Sequence, residues 1–141
     1  MIQRTLALIK PDAVKSNYIG SIINIAEKSG LKVVALQMFH FTQKQARGFY
    51  AVHEGKHFFD GLLQYITESP LVAIVFEGED AVTSWRNLMG ATDPQKAAEG
   101  TIRKLYAESM TRNSVHGSDS VENAEIEINY VFGGRYINGL A

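Results

Sequence analysis

Cysteine is missing from this chain, which excludes disulfides, zinc–thiolate sites and thiol catalysis and leaves the redox compartment open. A surplus of one charge is missing too. Fourteen Lys and Arg against fifteen Asp and Glu give a net charge of −1, so bulk charge draws the chain neither to nucleic acid nor to an anionic membrane. Any site for a polyanion has to come from a few cations gathered locally. Long apolar runs are also lacking. The first, Leu6-Ala7-Leu8-Ile9, is cut by Lys10-Pro11-Asp12, too soon for the apolar region of a signal peptide and far too soon to span a bilayer. What remains is an ordinary globular composition, 45% hydrophobic and 21% charged, over 141 residues without repeats or a linker. One domain, 1–141, with a core of its own is expected.

Periodicity places the elements. Gln3–Ile9 reads as a buried strand ended by Lys10-Pro11-Asp12, since Pro removes a donor and fixes the turn. Ile19, Ile22, Ile23 and Ala26 stand at helical spacing, with Gly30 as the stop. Leu31–Phe41 reads as a second strand, and Thr42 with Gln45 as a capping box opening a helix. Phe58, Leu62 and Ile66 predict a short helix ending before Pro70, and Leu71–Phe76 a third strand buried on both faces. Asp80 is expected to cap a helix carrying Ala81, Trp85 and Leu88, and Asp93-Pro94 to start another. From Met89 to Asn113 the chain is otherwise irregular, and stretches of that length usually serve function. The last helix, about Ser120 to Phe132, is expected to bury Val121, Ala124, Ile128 and Val131 and to use Asp119 with Glu122 as its cap. Glu127 lies at the edge of that stripe, where it can turn towards the His116 segment. The tail Gly133–Ala141 is short. The element order alone says α/β and is even compatible with a parallel sheet.

Two motifs mislead. His53-Glu54-Gly55-Lys56-His57 spells a zinc-protease H-E-x-x-H, but Gly55 weakens the helix that would bring both histidines to one face. A third ligand would have to come from Glu77, far along the chain, and a helix end followed by a turn is the simpler reading. Gly55-Lys56 resembles part of a phosphate loop, yet the first glycine of that pattern would be residue 50, which is tyrosine.

The richest stretch is Asn113-Ser114-Val115-His116-Gly117-Ser118-Asp119-Ser120. A histidine, a backbone-freeing glycine, hydroxyls and a carboxylate meet where an extended segment gives way to a helix, a suitable place to handle a phosphoryl group. Lys10, Arg86, Thr92 and Arg103 are the residues able to hold a phosphate chain around it.

That stretch matches the N-x-x-H-G-S-D-S signature of nucleoside diphosphate kinases, and the likeness runs through nearly the whole chain. It includes Ile9-Lys10-Pro11-Asp12, Gly48-Phe49-Tyr50, Phe58-Phe59, Leu88-Met89-Gly90-Ala91-Thr92-Asp93-Pro94 and Gly100-Thr101-Ile102-Arg103. The chain most resembles the short bacterial members. The resemblance implies an α+β fold, a ferredoxin-like βαββαβ with a four-stranded antiparallel sheet and surrounding helices. It also implies reversible ping-pong transfer of the γ-phosphate from a nucleoside triphosphate such as ATP to a nucleoside diphosphate through phosphohistidine.

By that likeness His116 is the nucleophile, Glu127 fixes its tautomer and Ser118 stands beside it. Lys10 meets the transferred phosphate, and the Tyr50 hydroxyl lies near the nucleophile and the ribose 3′-hydroxyl. Arg86, Thr92 and Arg103 hold the remaining phosphates, and Mg²⁺ bridges phosphate oxygens with Asp119 reaching it through water. Asn113 joins Lys10 on the 3′-hydroxyl. Phe58 stacks on the base with Leu62 and Met110 nearby, and an aromatic face accepts any base, so broad base tolerance is expected. One cation about 4 Å from a phosphate is worth on the order of 4 kcal/mol at an effective dielectric of 20, enough for local cations to outweigh the overall charge. Partners are then nucleoside di- and triphosphates and further copies of the chain, in a dimer-based tetramer or hexamer, with neither membrane nor specific nucleic acid, in the cytoplasm. Two places depart from the family pattern: Lys104-Leu105 where Gly or Ala and then Asp usually follow Arg103, and Glu68-Ser69-Pro70 in place of Ser-Gly-Pro. Both bear on subunit packing, and neither removes a residue assigned to chemistry.

Overall fold

Alternation along the first strand sets the architecture. In β1 (Ile2–Ile9), Leu6 and Leu8 face one side and Ala7 and Ile9 the other, and all four are fully buried. A strand buried on both faces needs a layer on each. The computed structural model, which describes residues 1–133, supplies both. In β3 (Leu71–Glu79), Leu71, Ala73 and Val75 join the core of Leu6 and Leu8. Val72, Ile74 and Phe76 join that of Ala7 and Ile9.

β1 and β3 run antiparallel from Ile2 opposite Glu79 to Ile9 opposite Val72. β2 (Lys32–Phe39) flanks β3 and β4 (Val115–Gly117) flanks β1, giving the order β2-β3-β1-β4 with every neighbouring pair antiparallel. This is the expected ferredoxin-like α+β sheet. The helical crossovers do join strands of like direction, as the element order suggests. Each crossover skips one place, and the strand that fills it runs the other way.

The first core is closed by α3 (Gln43–Phe49), α4 (Phe59–Ile66) and α7 (Val121–Phe132), through Ala46, Leu63, Ile66, Ile128 and Phe132. The second is closed by α1 (Pro11–Lys15), α2 (Ile19–Lys28), α5 (Ala81–Met89) and α6 (Ile102–Tyr106), through Ala13, Ile22, Ala26, Trp85, Met89 and Ile102. The Thr42–Gln45 capping box forms in both directions, and Gly30 adopts φ 102 past the end of α2.

Several local expectations give way. Pro11 opens the short helix α1 rather than a plain turn, because its fixed φ suits the first helical position. Asp80 precedes α5 at φ 47 without a side-chain cap. Asp93 starts no helix: its carboxylate accepts the Gln95 N–H 3.0 Å away and its carbonyl the Lys96 N–H, closing a turn. The cap of α7 is Ser120, which takes the Asn123 N–H at 3.1 Å, while Asp119 takes the Asn123 side-chain amide. Val121, expected inside, is 47% exposed, and Phe132 is buried instead. The irregular segment contains α6. The second strand is shorter than Leu31–Phe41, and the tail from 134 to 141 lies outside the described residues. No helix among the described residues is long and apolar enough to cross a membrane.

Candidate active site

β4 is only three residues long, yet it places the nucleophile candidate. His116 pairs with Leu8 and Gly117 with Ala7, so the histidine is tied to the central strand of the molecule. Glycine is required at 117 because a Cβ there would stand 2.5 Å from Cδ1 of Trp85. That close approach lets Trp85 Nε1 donate to the His116 carbonyl at 3.1 Å.

From α7, Glu127 reaches back as its place at the edge of the helix stripe suggests. Its Oε1 lies 2.8 Å from His116 Nε2 and accepts from Ser118 Oγ at 2.7 Å. Ser118, fully buried, is held in turn by the Leu6 N–H at 3.3 Å. An ionised carboxylate only accepts, so Nε2 carries the hydrogen and Nδ1 keeps its lone pair. The rings of Phe49 and Tyr50 meet the imidazole edge-on, 5.3 and 6.3 Å away between centroids. Burial, and then the charge of Glu127, push the Tyr50 hydroxyl well above the ordinary tyrosine range, and that hydroxyl has no hydrogen-bond partner among the described residues.

The opposite wall is cationic. Lys10, at the end of β1, is buried and its Nζ donates to Asn113 Oδ1 at 2.8 Å. Desolvation, reinforced by Arg103 and partly offset by Asp12, brings its pKa down to about 7. Arg103, on α6, donates to the carbonyls of Gly90 and Val115 at 3.0 Å each, while its Nε finds no partner among the described residues. Desolvation, then repulsion from Arg86, lowers it to about 10. Arg86, on the exposed side of α5, lies 3.5 Å from the Gly117 carbonyl. Among the described residues no carboxylate comes within ion-pair distance of Lys10, Arg86 or Arg103.

Between these walls opens a cleft of about 950 Å³. Its lining includes Lys10, Tyr50, Thr92, Asn113 and His116 together with Phe58, Leu62 and Met110; Lys10, Tyr50 and Asn113 are buried, and Thr92, Phe58 and Met110 are exposed. Phe58 is 40% exposed, an aromatic face available for stacking. Arg86, Arg103, Ser118, Glu127 and Asp119 are not among the lining residues. Glu127 contacts His116 and Ser118 contacts Glu127, while the two arginines reach the backbone carbonyls of Gly117, Gly90 and Val115.

His53 and His57, set aside in the sequence as parts of a false zinc motif, also line the cleft. His53 ends a 3-10 turn (Ala51–His53) and His57 follows it, Gly55 sits at φ 85, and no cluster of three His, Asp or Glu able to hold a metal occurs among the described residues. Glu77 is engaged with Arg4 instead, at 2.9 Å. Tyr65 and Arg112 are further lining residues that the sequence reading did not single out. Aromatic and cationic side chains at the spacing of Phe58 and Leu62 on α4, and directly before Asn113, were the available signals. Asp119 offers a single exposed carboxylate, kept below the usual carboxylate range chiefly by the hydrogen bond from Asn123.

Known proteins agree with this geometry. The family model described as nucleoside diphosphate kinase matches residues 3–137. A nucleoside diphosphate kinase of Nitratidesulfovibrio vulgaris is 52% identical over 139 residues, covering 99% of this chain and all of that protein. One of an Anaeromyxobacter species is 53% identical over 130 residues, 92% of this chain and 89% of that one. Among solved structures, the Aquifex aeolicus nucleoside diphosphate kinase superposes with a TM-score of 0.95 at 38% identity, over 97% of this chain and 99% of that chain. A halophilic enzyme of the family from Halobacterium salinarum, in complex with CDP, gives 0.94 at 40% identity over 100% and 94%. With a match over almost its whole length, the chain belongs to the nucleoside diphosphate kinase family.

Proposed function

We propose that this chain carries out the reversible transfer of a γ-phosphoryl group between nucleoside tri- and diphosphates, with His116 as the carrier. The observation that supports it most directly is the His116–Glu127 contact at 2.8 Å, which commits Nε2 and leaves Nδ1 as the nucleophilic nitrogen on the cleft. In the first half-reaction the Nδ1 lone pair attacks the γ-phosphorus. The N–P bond forms as the bond to the bridging oxygen breaks, and the nucleoside diphosphate leaves with that electron pair. In the second half a β-phosphate oxygen of another diphosphate attacks the same phosphorus, and the imidazole departs unchanged. Nε2–H stays on Glu127 throughout, so no separate base is needed.

Positioning and charge do the rest. In this reading Lys10 meets the transferred group and Arg103, Arg86 and Thr92 hold the other phosphates. Asn113 and Tyr50 are placed for the ribose 3′-hydroxyl, and Phe58, Leu62 and Met110 for the base. Because an aromatic face such as that of Phe58 stacks on any base, ribo- and deoxyribonucleotides of any base are expected to serve. Mg²⁺ fits as an ion carried by the nucleotide, held mainly by phosphates and water with Asp119 reaching it through water, since no cluster of three His, Asp or Glu able to hold a metal occurs among the described residues. It would neutralise developing charge on the phosphate oxygens.

The whole of 1–141 acts as one domain in this reading, supported by two cores that share one sheet and by the family match over 3–137. A cytoplasmic site of action, where nucleotide pools lie, goes with it. Assembly into dimer-based tetramers or hexamers is supported by Leu36 and Met38, each 54% exposed on the edge strand β2, and sedimentation of the 15.6 kDa chain tests it.

Incubation with γ-labelled ATP and Mg²⁺ tests the carrier. The protein should take up an acid-labile, base-stable label that GDP removes as GTP, and His116→Ala should take up none. A folded wild type without label, or a labelled His116→Ala, overturns the assignment.

A further inference from the structure

The link between the irregular segment and β4 contains the tightest backbone turn of the site. Val115 N–H donates to the Asn113 carbonyl two residues back, at 2.8 Å, and Ser114 between them sits at φ 74. A three-residue turn closed this way at positive φ is a rare and strained form, and only glycine adopts that half of φ space freely. Serine therefore has to be held there. Its own side chain does not do so, since Ser114 is fully buried and its Oγ has no partner among the described residues.

The restraint comes from the residues that follow β1. Ser114 N–H donates to Asp12 Oδ2 at 3.1 Å, and the Ser114 carbonyl accepts the Lys10 N–H at 2.8 Å. Asp12, only 3% exposed, has its other oxygen occupied by the Tyr65 hydroxyl from α4. Tyr65, Asp12 and Ser114 thus form a chain of contacts. It ends between Asn113, which takes Lys10 Nζ, and His116, two residues further on.

We propose that Asp12 is a positioning residue whose carboxylate, aimed by Tyr65, clamps the strained turn at Ser114 and so sets Asn113 and His116 against Lys10. The proposal rests on the reading of His116 as nucleophile. Transfer between groups in such contact loses on the order of a hundredfold for an ångström of misplacement, so a clamp remote from the reacting atoms has a measurable effect on rate. The competing role for Asp12 is purely electrostatic, a negative charge that steadies Lys10.

Rapid-quench measurement of phosphohistidine formation at saturating ATP and Mg²⁺ separates them, using D12N, D12A and Y65F with serine or glycine at 114. The clamp predicts D12N within about threefold of wild type, because the amide oxygen still accepts the Ser114 N–H, and D12A slower by about 10- to 100-fold. It further predicts that D12A/S114G returns to within about fivefold of S114G, since glycine holds the turn unaided. Equal losses in D12N and D12A, or a D12A defect that S114G leaves unrepaired, overturn it. If D12A does not fold, Y65F decides: a loss of about 3- to 10-fold repaired by S114G supports the clamp, and an unrepaired loss or none overturns it. A wild type that forms no phosphohistidine would refute the carrier instead. The clamp is then judged by Ser114 amide exchange, which D12A must accelerate and D12N must not.

Discussion

The two walls of the cleft are built on opposite principles. On the His116 wall the carboxylate network is closed, with only the Tyr50 hydroxyl left unpartnered among the described residues: Glu127 Oε1 receives both Nε2–H and the Ser118 hydroxyl, and Ser118 is itself tied to β1. Burial there costs little because the network is complete. On the Lys10 wall, cations face one another without a carboxylate in ion-pair range among the described residues, and the lysine is pushed down to about 7 and the arginine to about 10. Under the proposed function, polyanionic phosphate would relieve the repulsion on that wall. The carboxylate network would hold the nucleophile in one tautomer, and the cationic wall would store a tendency to bind charge that appears only with substrate.

The contrast can be broken most strongly at Lys10. Lys10→Met should slow phosphoryl transfer by about 100- to 1,000-fold, as expected for loss of a preorganised charge, while raising the stability of the free chain by on the order of 1–3 kcal/mol. Rapid-quench rates and denaturant melts check the pair of effects, and a lysine substitution that both inactivates and destabilises would contradict the picture of a strained wall.

On the satisfied wall the two signs should coincide. Glu127→Ala leaves the Ser118 O–H and the His116 Nε2–H without their acceptor, so transfer should fall by about 10- to 100-fold and stability by about 1–3 kcal/mol. Glu127→Gln, which keeps an acceptor, should fall between. If Glu127→Ala proves more stable than the wild type, this wall is no less strained than the other.

Gly117→Ala sharpens the comparison by disturbing the His116 wall without touching its charge. Its Cβ would meet Trp85, and a loss of about 1–3 kcal/mol in thermal unfolding is expected from overpacking, with a smaller decline in rate. Wild-type stability at this position would mean that Trp85 moves aside and does not support the His116 carbonyl.

The smallest effect is the uptake of about one proton. With a pKa of about 7 in the free protein, Lys10 is mostly neutral at pH 8, and bound phosphate should return it towards its ordinary value of about 10.4. Nucleoside triphosphate binding at pH 8 should therefore take up nearly one proton, seen by calorimetry in buffers of differing ionisation heat and absent in Lys10→Met. The same shift has a stability consequence. Between pH 7 and about 10 the unfolded chain binds a proton at Lys10 that the folded one does not, so the lysine makes stability rise with pH across that window. Calorimetry showing no buffer dependence would place Lys10 outside the phosphate site.

Much of the molecule was legible before folding, and for separable reasons. The alternation Leu6, Ala7, Leu8, Ile9 and the run from Leu71 announce strands buried on both faces, because period-two side chains need a layer on each side. Glu127 at the rim of an amphipathic helix pointed to the His116 segment on helical spacing alone. Local competition between donors was less readable. Asp80, Asp93 and Asp119 all look like caps, yet Ser120 won one position and turns took the others, since several nearby side chains compete for the same N–H groups.

The sequence by itself determined the secondary elements, the apolar faces they must bury, and the residue types available for phosphoryl chemistry, since these follow from periodicity and side-chain functional groups. Only the tertiary structure decided the antiparallel insertion of β3 between β1 and β2, the drop in the Lys10 pKa, and the hold of Asp12 on a strained turn a hundred residues away. Register, desolvation and long-range hydrogen bonds depend on distances between segments remote in sequence, and no local pattern encodes those.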